Sequence, residues 1–131
     1  MATAQRISGA YAQVDLDTRL EAASPHELIR LLLEGAILRL GRAREHLVNQ
    51  NIAKKGEEIG KVISIVAELQ HCLVKEPGND VARNLNLLYE QIMGAIVAAN
   101  VENNLEKLDL ASDLLRHLSE SWNTIPAEMR G

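Results

Sequence analysis

The sequence predicts an all-α fold: an antiparallel up-down bundle of four long helices preceded by a short N-terminal arm or helix. Three observations predict it. The 131 residues include 20 Leu and 16 Ala but only three aromatics and no Phe, so helix formers dominate and a sandwich's β-branched and aromatic content is missing. Proline and asparagine punctuate the chain at a few well-spaced points. Between those points lie four segments whose apolar residues recur at alternating steps of three and four, the period of one helix face. A chain of this length suits one domain, divided into an arm at 1–23, a four-helix core at 24–124 and a tail at 125–131.

The arm carries Ile7, Tyr11 and Val14 at helical spacing. The first long helix opens at Ser24-Pro25-His26-Glu27, where Ser caps, Pro takes the first helical position and Glu27 completes a capping box. Its core stripe is Ile29, Leu33, Ala36, Leu40, Ala43 and Leu47. Asn49-Gln50-Asn51 breaks the chain, and the second stripe follows with Ile59, Val62, Val66, Leu69 and Leu73. Pro77-Gly78-Asn79-Asp80 reads as a turn with a capping residue, after which Val81, Leu85, Leu88, Ile92, Ala95 and Ala99 form the third stripe. A break across 100–104 precedes Leu108, Ala111, Leu115, Leu118 and Trp122, and Ile125-Pro126 ends the last helix. Segments of ~18 to 25 residues make rods of ~27 to 38 Å, and short connections make sequential rods antiparallel neighbours.

Composition and motifs point away from catalysis. A net charge of -4 argues against general nucleic-acid binding, which needs a cationic surface. The single cysteine, Cys72, excludes an internal disulfide and a Cys-based zinc site, and beside the apolar stripe it reads as a small hydrophobe. Glu68-Leu69-Gln70-His71 matches the Glu-x-x-His element of di-iron bundles, but such a site needs a second copy and two more carboxylates. With Val66, Leu69 and Leu73 facing inward, Glu68 and His71 point to solvent. Gly56 and Gly60 sit among glutamates inside a helix, which is no phosphate loop. No catalytic, metal or cofactor residue is expected. No secretion signal or membrane-spanning stretch is read either, so a cytoplasmic protein is expected.

The informative feature is a surplus. Leu28, Leu31, Gly35 and Leu38 form a second line on the first helix, roughly opposite its core stripe. One stripe suffices for a bundle helix. Leu87 and Val97 in the third helix, with Leu110 and Leu114 in the fourth, are less regular surpluses. Either the arm covers the second line through Ile7, Tyr11 and Val14, or arm and outside helix share a groove, since helix-in-groove recognition uses this spacing. A homo-oligomerising adaptor with the line as a dimer seam is the alternative.

Several segments together resemble the FliS family of flagellin-specific export chaperones. Tyr11-Ala12-Gln13-Val14, Ser24-Pro25-His26-Glu27-Leu28-Ile29 and Leu32-Leu33-Glu34-Gly35-Ala36 resemble its amino-terminal half. Asp80-Val81-Ala82-Arg83-Asn84-Leu85, Leu88-Tyr89 and Ala99-Asn100 resemble its third-helix region, and Leu114-Leu115 with Trp122 its closing helix. Leu33 stands where the family often has an aromatic, and Pro77-Gly78-Asn79 where a Gly-Gly pair is common. The resemblance implies a cytosolic, non-enzymatic bundle that binds the C-terminal helical segment of flagellin, prevents premature polymerisation and delivers it to the type III export gate. It also implies an arm, with its tyrosine, folded over part of the binding surface.

Overall fold

The computed structural model describes residues 24–73 and 80–124, and they form four helices. These are α1 (Pro25–Val48), α2 (Ile52–His71), α3 (Asp80–Glu102) and α4 (Leu105–Thr124). The arm with Ile7, Tyr11 and Val14, the Pro77 turn and the Ile125-Pro126 stop lie outside the described residues.

Each helix end has a local cause. Ser24 is extended, and its hydroxyl accepts from the Glu27 N–H at 3.4 Å, while Pro25 takes the first helical position. The Glu27 carboxylate accepts from Arg30, whose guanidinium also reaches Glu34 at 2.7 Å. At the other end of α1, the Gln50 N–H donates to the Leu47 carbonyl and the Asn51 N–H to the His46 carbonyl. This is a Schellman closure, which requires a left-handed residue at its centre. Gln50 supplies it at φ 60°.

The α3–α4 corner repeats the device. The Asn104 N–H donates to the Ala99 carbonyl, and Asn103 holds φ 51°. Asn104 then caps α4, its side-chain oxygen accepting from the Lys107 N–H at 3.1 Å. Asparagine tolerates the left-handed region better than glutamine does. Gln50→Gly is therefore expected to raise stability by about 1 kcal/mol in thermal or urea unfolding. Asn103→Gly should gain less, because it also removes a side-chain contact to Lys55.

The helices form an antiparallel ring in which α1 packs on α2 and α4, and α3 packs on the same two, leaving α1 and α3 diagonal. Cross-links fix the register: Arg39 with Glu58 between α1 and α2, Gln70 with Asn86 between α2 and α3, and Arg44 with Asp109 between α1 and α4. The Trp122 indole N–H donates to the His26 carbonyl at 3.0 Å, joining the end of α4 to the start of α1.

Three stripes sit as expected. Leu33, Ala36, Leu40 and Ala43 of α1, Ile59, Val62, Val66 and Leu69 of α2, and Leu108, Ala111, Leu115 and Leu118 of α4 form the core. Ile29, Leu47, Leu73 and Trp122 pack against it, partly buried.

The α3 stripe differs. Tyr89, Ile92, Ile96 and Ala99 face the axis, while Leu85, Leu88 and Ala95 lie at its edge and Val81 is 70% exposed. Two apolar lines run side by side on α3, and spacing alone does not say which one faces the axis. Burial pushes the Tyr89 phenol up to about 12, with Cys72 adding to the effect.

Candidate functional site

Of the four residues in the surplus line on α1, Leu31 is among the buried hydrophobic core residues, and none belongs to the central cluster. The members of the line differ in exposure. Leu38 is 57% exposed, Leu28 and Gly35 are half-buried, and Leu31 is only 8% exposed. Gly35 leans toward α2, where a side-chain carbon would lie 3.8 Å from Ile65 Cδ1. Leu31 is thus part of the buried core, whereas Leu38 is bare. The cover residues Ile7, Tyr11 and Val14 lie outside the described residues.

A second surface is more regular than the sequence suggested. On the outer side of α3, Leu87 is 53%, Val97 43% and Val101 76% exposed, and Gly94 lies between them with open space above it. Val101 escaped the sequence reading, yet a signal was present. From Gln91 to Val101 no residue is charged, although a solvent-facing helix side is normally polar. On α4, Leu110 is 52% exposed, while Leu114 packs partly against the core. The apolar surplus therefore lies mainly on the two diagonal helices.

Glu68 and His71 are exposed, and no group of three His, Cys, Asp or Glu side chains converges among the described residues. Cys72 is half-buried, and burial followed by the Glu68 charge pushes its thiol up, away from the thiolate that a nucleophile needs. Among the described residues no helix is long and apolar enough to cross a membrane.

An amphipathic bundle with apolar faces to spare could serve many partners, and the whole-chain pattern narrows the choice. The family model of the flagellar protein FliS matches residues 7–129. The chain belongs to the FliS family. It is 39% identical over 119 residues to the flagellar secretion chaperone FliS of Vibrio cholerae, a match spanning 91% of this chain and 88% of that one. It is 38% identical to the flagellar secretion chaperone FliSB of Pseudomonas aeruginosa, over 88% of this chain and 91% of the relative. With FliS of Salmonella typhimurium it shares 36% identity, over 88% and 87%. As a FliS-family protein it is a chaperone of flagellum biogenesis that acts by protein–protein contact, not an enzyme.

Proposed function

We propose that the chain binds the C-terminal helical segment of flagellin in the cytoplasm, keeps it from polymerising early and hands it to the flagellar type III export apparatus. The observation that carries this reading is the α1 line, Leu28, Leu31, Gly35 and Leu38, which is apolar and, apart from Leu31, lies outside the buried core. A polymerising subunit has amphipathic ends that pair with other copies, and a chaperone must offer a substitute apolar face. Binding and release need only competing contacts, because a ligand shifts a population by its differential affinity.

The arm is the competitor in this reading, with Ile7, Tyr11 and Val14 as a displaceable cover. Burying three such side chains contributes at most ~5 to 9 kcal/mol, which ordering costs of ~1 to 2 kcal/mol per residue largely offset. The arm is thus docked marginally, and a longer partner helix displaces it.

Stopped-flow binding of a flagellin C-terminal segment tests both points. Wild-type protein should bind it, and deletion of residues 1–15 should raise the association rate by about two- to tenfold, because the competent state is no longer a fraction of the population. Dye binding and self-association should rise as well. An unchanged rate with no added dye binding would remove the arm from the mechanism. A concentration-independent dimer that ignores flagellin would favour a homo-oligomerising adaptor.

A further inference from the structure

We infer that the outer face of α3 is a docking surface for a second copy of this chain, crossing antiparallel about a two-fold axis at Gly94. Leu87, Gly94 and Val101 stand at seven-residue steps, about two turns apart, so they share one line on the helix. Leu87 is 53% and Val101 76% exposed, and a side-chain carbon built at Gly94 meets nothing within 4 Å. Val97, 43% exposed, widens the line. Between Leu87 and Val101 the one charged residue is Glu90. Its carboxylate accepts from Asn86 Nδ2 at 3.3 Å, and Asn86 is bonded to Gln70 of α2, so Glu90 is held towards that side.

The order of residues along this line selects a second copy. When identical helices cross antiparallel about a two-fold axis, the residue on the axis meets itself. A residue a given number of places before it meets the one as many places after it. With Gly94 on the axis, Leu87 of each copy meets Val101 of the other, and four exposed apolar side chains become two pairs. A glycine at the crossing lets the two backbones approach closely. Nothing described within the chain asks for glycine there, although only proline is a poorer helix former.

Gly41 and Gly60 are as open, but seven residues to either side of them stand Glu34 with Val48 and Ala53 with Ala67. Among the described glycines, Gly94 alone has a large exposed apolar residue in both directions. Charge agrees with this register. Arg83 lies ~16 Å along α3 from the axis, level with the α3–α4 corner of the second copy, which carries the exposed Glu102 and Glu106. Four turns of one helix on four turns of its copy fall short of the ~1,200 Å² that a stable complex buries, so the dimer is weak and concentration-dependent. The α1 line stays open in it, because α1 lies diagonal to α3.

Sedimentation velocity of the full chain over a concentration series tests the assignment. The mean mass should rise from one copy towards two as the concentration approaches about 1 mM. Gly94→Glu and Gly94→Lys should each lose about tenfold or more in self-association, because like charges then meet on the axis. Circular dichroism should show the helices intact, since either residue is a better helix former than glycine. An equimolar mixture of the two variants should associate more strongly than either alone, as opposite charges now meet. Leu38→Asp should dimerise like the unaltered protein.

A chain that stays monomeric throughout overturns the assignment. So does a dimer that Gly94→Glu leaves intact. Loss of the dimer in Leu38→Asp would move the seam to the α1 line, and failure of the mixed variants to associate would take Gly94 off the axis. Both results overturn the α3 crossing without touching the flagellin-binding reading.

Discussion

Leu40→Asp unfolds the protein, whereas Leu38→Asp, two residues earlier, leaves the fold intact and removes partner binding. Leu40 is 1% exposed within the core, and Leu38 is 57% exposed outside it. The first substitution forfeits ~1.5 to 3 kcal/mol of apolar burial and adds several kcal/mol for a carboxyl group without partners, a sum comparable to a domain's whole stability of ~5 to 15 kcal/mol. The second should change stability by less than about 0.5 kcal/mol, as exposed positions do. Circular dichroism reads the first effect and co-purification with flagellin the second. Leu31→Asp is a less clean probe of docking, because that residue is 8% exposed and its replacement also perturbs packing. Equal loss of fold in Leu38→Asp and Leu40→Asp would mean that α1 does not have two separate faces.

Lys55→Ala is expected to cost about 3 kcal/mol in urea unfolding, the largest effect of any polar residue among those described. Lys55 is 2% exposed, and its ammonium donates to the Asn100 carbonyl at 2.9 Å and to the Asn103 side-chain oxygen. Asn100 lies in the last turn of α3, where carbonyls lack intrahelical partners. The first turns of α2 thus cap the end of α3. Lys55→Met keeps the aliphatic packing but abandons the carbonyl, so it should recover only part of the loss. A cost under about 1 kcal/mol for Lys55→Ala would show that water satisfies the α3 end equally well.

The fold was legible where one apolar stripe stood alone between polar neighbours, as in α1, α2 and α4. It was less so in α3, where Leu88 and Ala95 run beside Tyr89 and Ile96. There the choice of core line depends on how the neighbouring helices sit. Lys55 was missed because residue type was weighed over position, although it lies four residues before Ile59 and continues the α2 stripe. Periodicity placed Leu28, Leu31, Gly35 and Leu38 on one line but could not tell their exposures apart. The lean of Gly35 toward Ile65 depends on chain far away in sequence.

The bond from the Trp122 indole to the His26 carbonyl joins positions 96 residues apart. Every other neighbouring helix pair in the ring follows directly in sequence, so α1–α4 docking is the one long-range closure of the bundle. Loop-closure entropy makes such a contact late in folding relative to helical hairpins. Trp122 is also the chain's sole tryptophan. Its emission is therefore a built-in clock for ring closure, separable in time from the rise of helical signal as the hairpins form.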